Sequence, residues 1–348
     1  YPVGIAAWHV VWFTDNIRLT LIFEDAQTAL PRLDAKVDVF YLDGFKPSQN
    51  PELFNQFIFE GMQRLAQPGA SASTYSVAGV VKQGLRAAGF RIEKRQGWGR
   101  KRELLFAQAP GDWRGQRLKR PSVQIIGAGI AGQSLAGSLN RFDIQPIILA
   151  DPNHPGASSQ PALNIYPQLS LQRDRQSEFS IAGCYFALHN QERVQRRPLH
   201  WHSATPAKIQ RMQRLSQLFP DNYLEQIGNE AIYHQAGIWR SLPPAGLQGA
   251  KVCELKPSQG QMRLYDAAGQ ALSQADVTLL AAGTGMHALT SLALRNVRGQ
   301  SILIRSKHTL PEFLTGDINI TYLGGQDFLV GSTYELDGSD PQTRLLDT

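Results

Sequence analysis

The chain has 348 residues, enough for about two domains with cores of their own. Hydrophobic residues make up 42% and charged residues 18%, an ordinary balance for a soluble protein, and no apolar run comes near the eighteen or so residues that a membrane span needs. The net charge of +6 admits a polyanionic partner without requiring one, while Cys184 and Cys253 lack metal-ligand or redox spacing and read as fillers in a reduced compartment.

Taken in chain order, LTLIFED (19–25) and VDVFYLDGF (37–45) are apolar runs ending in acids and read as parallel strands with polar carboxyl ends. Leu53, Phe57, Ile58, Met62 and Leu65 recur at helical spacing, with Pro51 suited to the first turn and Gln67-Pro68-Gly69 closing the run. SASTYSV (71–77) then reads as a strand and AGVVKQGLRAAG (78–89) as a helix stopped by Gly89. FRIEKRQGWGRKRELLFA (90–107) reads as a hairpin turning at Gly97-Trp98-Gly99. A terminal antiparallel pair resembles the ending of a class I methyltransferase, so residues 1–107 are expected to be the second half of such a domain. The glycine-rich turn that holds the methionine end of S-adenosylmethionine (SAM) does not precede Leu19.

Around this hairpin lie Arg91, Lys94, Arg95, Arg100, Lys101, Arg102, Arg114, Arg117, Lys119 and Arg120, against Glu93, Glu103 and Asp112. Such a stripe suits a phosphate-facing surface or, equally, a solvated hairpin and linker. Trp98 could stack on a base, although packing the turn is the commoner use of such a tryptophan. Residues 108–121, QAPGDWRGQRLKRP, read as a linker.

The second part opens with VQII (123–126), then Gly127, Gly129 and Gly132 as a full G-x-G-x-x-G at the mouth of an apolar helix. The glycines permit the tight turn, the approach of backbone to a pyrophosphate and the packing of helix on strand. The helix amino end, at Ile130 and Ala131, would take the phosphates. PIILADP (146–152) supplies a second strand ending in Asp151, nineteen positions beyond Gly132, where an acid can meet ribose hydroxyls. A Gly-Ala-Ser-Ser loop carrying Ser158 and Ser159 follows, and later a meander (251–283) with an Asp-Ala-Ala-Gly turn and a strand ending at Gly283. That return resembles FAD-dependent amine and amino-acid oxidases more than nicotinamide domains. His200 and His202, in HWH, lack an accompanying cysteine or carboxylate cluster, and no metal is expected.

Together, VDVFYLDGFKPSQNPELFN, GLRAAGF and GWGRKRELL, followed by IIGAGIAG, GASSQPALNIYPQLS, VRGQ and VGSTYELDGSD, resemble the bacterial bifunctional tRNA 5-methylaminomethyl-2-thiouridine biosynthesis family. The resemblance implies an α/β chain. It comprises a partial class I methyltransferase domain (1–107), the linker (108–121), and an FAD-binding Rossmann domain with an inserted α+β substrate domain (122–348, incomplete at its carboxyl end). It implies FAD-dependent removal of the carboxymethyl group from a modified wobble uridine, then methylation of the remaining amine from SAM. Asp43 would hold that amine, and Asp25 the adenine of SAM. Gly127, Gly129, Ile130, Ala131, Gly132, Asp151, Ser158, Ser159 and Gly283 would hold FAD. Arg298 and Gln300 would meet substrate, although a structural arginine is as good a reading of Arg298, and Arg100, Lys101 and Arg102 would meet tRNA. The chain departs from the family at Ser158-Ser159-Gln160, where Ser-Gly-Asn is usual, at Leu163 for a glycine, and at Glu24 for a glycine.

The expectation is therefore a cytoplasmic monomer that uses FAD and SAM on tRNA, needs no membrane or protein partner, and is an excerpt of a longer protein or a decayed gene product. Two rivals stand beside it: a small-molecule amine oxidase with a scaffold front domain, and a non-catalytic remnant.

Overall fold

The computed structural model describes residues 8–14, 17–97, 99, 102–112, 119–154, 156–172, 174–191, 193–240, 246–331 and 333–336. It divides into two compact units, one of residues 22–119 and one that joins the chain from 120 onwards to the stretch before Ile22. Strands β1 (Trp8–Thr14) and β2 (Ile17–Ile22) form a two-stranded sheet of their own. This differs from the expected parallel strand at 19–25. The reason lies in what β1 touches. His9 meets the Tyr185 ring edge-on at 5.0 Å, Asn190 Nδ2 donates to the Val10 carbonyl, and Trp12 packs edge-on to Phe142 at 5.3 Å. These contacts draw the hairpin to the second unit.

In the front unit, α1 (Ala26–Arg32) is followed by β3 (Val37–Tyr41), α2 (Gln56–Leu65), β4 (Ala66–Thr74), α3 (Gly79–Ala87), β5 (Arg91–Gln96) and β6 (Glu103–Gln108). The sheet order is β3-β4-β6-β5, with β3 and β4 parallel and β6 antiparallel to both its neighbours. The antiparallel ending read from the sequence is present, and its last strand sits between the other two. The ladder runs on past β6, since Ala109 N–H donates to the Ala70 carbonyl and Gly69 N–H to that of Pro110.

One expected helix from Pro51 is in fact two pieces. A 3₁₀ turn covers Pro51–Phe54, and α2 starts afresh after Asn55, whose Oδ1 accepts from Ile58 N–H at 3.1 Å. Asparagine competes for backbone donors and so favours a cap over a helix interior. The restart rotates the buried face to Ile58, Phe59, Met62 and Leu65 and leaves Phe57 outward. Those four side chains, with Phe54, Leu85 and Leu105, form the front core. Each is worth about 1.5–3 kcal/mol of burial.

The second unit begins with β7 (Val123–Ile126), α4 (Ile130–Asn140) and β8 (Ile147–Ala150). Leu247–Gly249, β8, β7 and Val277–Leu280 make a four-stranded parallel sheet in that order. All four residues of β7 are buried, as a central parallel strand covered on both faces requires, and three of them are apolar. The exception is Gln124, fully buried, whose Nε2 donates to the Met262 carbonyl and to Thr278 Oγ1, while its Oε1 accepts from Ser273 Oγ. It ties the central strand to the meander 254–275, whose turn forms as read: Asp266 Oδ1 accepts from the amides of Ala268 and Gln270.

Inserted between β8 and the meander, and resumed after the Val277–Leu280 strand, is a seven-stranded sheet. The strand Leu199–His202 lies in its interior, antiparallel to Glu230–Tyr233 and parallel to Phe313–Gly316. Its alternation buries Leu199 and Trp201 and exposes His200 and His202. On the buried face, α5 (Arg175–Asn190) and α6 (Pro206–Ser216) complete a core containing Ile181, Leu215, Tyr223 and Phe313. Among the described residues, no helix is long and apolar enough to cross a membrane.

Two outcomes follow from this packing. Gln124→Leu strands the Ser273 hydroxyl and two acceptors, so urea unfolding should show a loss of about 1–3 kcal/mol; an unchanged midpoint would contradict the role given to Gln124. Burial pushes the Cys184 thiol up to about 12, whereas Cys253 is only partly covered. A disulfide reagent near neutral pH should therefore modify Cys253 alone in the native protein and both thiols after unfolding.

Candidate functional site

The glycine turn is built by three parallel strands ending side by side. Gly127 N–H donates to the Leu149 carbonyl of β8 at 2.8 Å, and Ala281 N–H donates to the Ile126 carbonyl of β7 at 2.7 Å. Between these two bonds Gly127 takes φ +108°, where a side chain is strained, and a Cβ there would overlap the Ala281 carbonyl. A Cβ at Gly132 would overlap the Gly127 carbonyl oxygen, so this glycine sets how closely α4 approaches the turn.

Gly129 differs from both. It has φ −69°, an ordinary value, and an added Cβ would meet only the Ser158 hydroxyl at 3.3 Å. The Ser158 hydroxyl would have to give a few tenths of an ångström, a far smaller demand than the backbone overlaps at Gly127 and Gly132. A helix start leaves its first amides without partners inside the helix. That of Ile130 is met by Ser158 Oγ at 3.0 Å. A hydroxyl oxygen therefore stands where an anionic oxygen would be bound.

The structure thus brings Gly127, Gly129, Ile130, Gly132 and Ser158 together, with Ala131 next in α4. Ser159 is exposed in the same short turn, its N–H donating to the Gly156 carbonyl. Gly283, at φ +56° and exposed, follows directly on the Ala281–Ala282 wall that faces Gly127. Asp151 ends β8; its Oδ1 accepts from Asn153 N–H at 2.9 Å, and its Oδ2 lies 3.9 Å from Lys251 Nζ. Ser158 was singled out as a loop residue, but its cap on α4 spans 28 positions and has no local signal in the sequence.

Arg298 is in a different setting. It lies in the short strand Val297–Arg298, paired with Glu335–Leu336. Its side chain is 8% exposed, with the guanidinium donating to Gln300 Oε1 at 3.0 Å and facing Glu335 at 3.8 Å. Arg298 and Gln300 are thus each other's partners. His202 Nδ1 pairs with Glu230 at 3.1 Å, and among the described residues no three His, Cys, Asp or Glu side chains gather as a metal set.

In the front unit, Asp43 follows β3 at the carboxyl end of the parallel pair and is exposed. Among the described residues its carboxylate has no hydrogen bond or ion pair. The adjoining turn is held because Tyr75 OH donates to the Gly44 carbonyl. Asp25 is the N-cap of α1, its Oδ1 accepting from Gln27 N–H at 2.8 Å, and Glu24 binds Arg32. In the basic stripe, Lys94 pairs with Glu103 and Arg95 with Glu93, Arg95 lies over the Phe106 ring, and Arg120 pairs with Asp143. Arg102 is exposed, while Trp98, Arg100 and Lys101 lie outside the described residues.

Comparison with known proteins adds the following. Residues 1–110 match a family described as S-adenosyl-L-methionine-dependent methyltransferase. The tRNA 5-methylaminomethyl-2-thiouridine biosynthesis bifunctional protein MnmC of Thiobacillus denitrificans is 32% identical over 378 residues, covering 96% of this chain and 61% of that protein. The MnmC of Paraburkholderia phytofirmans is 29% identical over 403 residues, covering 99% of this chain and 60% of that protein. The chain is thus a homologue of MnmC proteins along almost all of its length, and it spans less than two thirds of theirs. Among solved structures, the iminodiacetate oxidase of Chelativorans sp. BNC1 is similar with a TM-score of 0.49 at 19% identity, covering 65% of this chain and 75% of that one.

The turn's geometry separates its glycines experimentally. Gly127→Ala should lose at least about 2 kcal/mol of stability through strain and overlap, while Gly129→Ala should fold within about 1 kcal/mol of wild type. Thermal unfolding of the two variants checks this, and equal losses would contradict the geometry.

Proposed function

We propose that the chain is part of a bifunctional tRNA wobble-uridine modification enzyme. In this reading its second unit is an FAD-dependent oxidase and its front unit carries the substrate side of a SAM-dependent methyltransferase. One observation carries the oxidase reading: the bare Gly129 beside the Ile130 amide, in a turn whose other two glycines are fixed by the fold. That cradle fits a diphosphate. Gly127, Gly129, Ile130, Ala131, Gly132 and Ser158 would hold it, with Asp151 toward a ribose and Ser159 and Gly283 on the flanking turns.

When bound, FAD supplies hydride acceptance from the C–H beside a secondary amine, after which water releases the carboxymethyl carbons from the substrate. The protein's part is to orient that C–H and keep the amine neutral, which calls for binding groups in place of a dedicated base. Arg298 is committed to Gln300 and Glu335, and we assign it to holding the Val297–Arg298 strand.

In the front unit, Asp43 is exposed beyond a strand end, and neither carboxylate oxygen has a partner among the described residues. A carboxylate so placed can orient an amine N–H toward the methyl donor and take up its proton. Asp25 keeps Oδ2 available for an adenine amino group, its Oδ1 being held as the α1 cap. The exposed cations of β5 and its hairpin, Arg91 and Arg102 among the described residues, give tRNA a positive face. The compartment proposed is the cytoplasm.

The test is direct. Incubated with FAD and then desalted, the wild-type chain should keep visible flavin absorption, and Gly129→Ala should lose it while retaining its unfolding temperature. With FAD, tRNA bearing 5-carboxymethylaminomethyl-2-thiouridine should be converted to the 5-aminomethyl form. A colourless wild type, or a Gly129→Ala variant as yellow as wild type, would overturn the reading.

A further inference from the structure

Away from the glycine turn, the second unit contains a cleft of about 470 Å³, within the roughly 300–1,000 Å³ span of small-ligand sites. Tyr166, Trp201 and Tyr233 line it, as do Gln168, Arg211 and Thr315. Trp201 is 8% exposed and Tyr233 5%, so both reach the cleft from the packed core. The Tyr166 and Tyr233 rings stand 5.7 Å apart and are tilted by 59°.

The polar groups here are unevenly satisfied. Tyr233, more than nine-tenths buried, has a hydroxyl with no hydrogen-bond partner among the described residues. That oxygen is not among the sealed, unsatisfied atoms of the core, and Tyr233 lines the cleft. Tyr166 OH lies 3.4 Å from Thr315 Oγ1, whose own proton goes to Asn319 Oδ1 at 2.6 Å, so Tyr166 makes only a long bond there and its proton can turn to a ligand. Arg211 is exposed and donates through one nitrogen to the Leu169 carbonyl at 3.0 Å, its other donors having no partner among the described residues. A buried hydroxyl without a partner is costly, and one aimed into a cleft has a use when a ligand brings the acceptor.

We infer that this cleft receives the modified pyrimidine itself, its ring carbonyls accepting from the Tyr233 and Tyr166 hydroxyls and its carboxylate arm meeting Arg211. Three aromatic residues, two hydroxyls and one guanidinium match a planar heterocycle with acceptor edges and an anionic substituent, while the Asp174 carboxylate, which also lines the cleft, is held as the α5 cap by the Ser177 N–H. Chemistry on a base requires it out of its stack, and a cleft of this size takes an extruded nucleoside. Tyr166 lies eight residues beyond Ser158, at most roughly 26 Å of extended chain, through the strand Leu163–Ile165, so cleft and glycine turn belong to one reachable region. The inference rests on the oxidase reading for its choice of base.

The experiment measures calorimetric binding of two nucleosides, 5-carboxymethylaminomethyl-2-thiouridine and 5-aminomethyl-2-thiouridine, to the full chain with and without FAD. Arg211→Gln should weaken the carboxylated nucleoside tenfold or more and leave the aminomethyl one unchanged. Tyr233→Phe, which keeps the ring and its packing, should weaken both about two- to tenfold. Should Arg211→Gln fail to fold, the Tyr233→Phe result decides alone. Wild-type binding of neither nucleoside, or variants that bind both as wild type does, overturns the inference even if the protein is yellow. Variant-sensitive binding in a protein that takes up no flavin supports the cleft and overturns the oxidase reading instead.

Discussion

Gly127 is caught between two hydrogen bonds, one accepted by Leu149 and one made by Ala281 to the residue before it, with the Ala281 carbonyl where its side chain would be. That one confined backbone position fixes where β7 ends and how α4 departs. Through Gly132 it also sets how far the helix amino end stands from the strands. Everything proposed for the second unit depends on it, because the amides that can face a diphosphate are aimed by this turn and by nothing softer. Two of the three glycines are required by the protein's own packing; at the third, Gly129, an added Cβ would meet only Ser158, and the binding requirement proposed for the turn falls on it. The distinction separates a fold requirement from a binding requirement within a single motif.

Around that turn the molecule spends polar side chains on joining its parts. Gln124 binds the meander to the central strand from a fully buried position, Ser158 caps α4 from a loop 28 positions away, and Asp317 gathers Lys208, Ser203 and the Ala204 amide before α6. Those contacts hold the Asp317 carboxyl down to about 2, so its anchoring is in place above the normal carboxylate range and is given up only as pH falls through that lower value. By contrast, the Tyr233 hydroxyl and the Asp43 carboxylate have no hydrogen-bond partner among the described residues.

The sequence was most legible where sterics act locally. The G-x-G-x-x-G turn, the Asp-Ala-Ala-Gly turn and the antiparallel ending of the front sheet each follow from a few adjacent residues, and each is present. Legibility failed where distant contacts decide. LTLIFED has the pattern of a parallel strand, yet β1 is held through His9 and Trp12 by the second unit and takes β2 with it. The helix after Asn50 was misread at one residue, Asn55, whose side chain restarts it and turns Phe57 outward. Neither the order of the seven-stranded sheet nor the cleft beside it could be read, since Tyr166, Trp201, Arg211 and Tyr233 are assembled from four separate elements. Homology to MnmC proteins along the chain supplies the chemistry these parts are proposed to serve, and the geometry says which residues are free to serve it.

The most direct measurement of the central claim is an isoleucine-selective amide NMR titration of the chain with FAD. Ile130 is the first residue of α4, and its N–H now rests on the Ser158 hydroxyl. If a diphosphate binds at this helix end, the Ile130 amide resonance should shift strongly and saturate with the appearance of bound flavin. Flavin binding that leaves Ile130 unmoved, or no binding by a folded chain, would contradict the account.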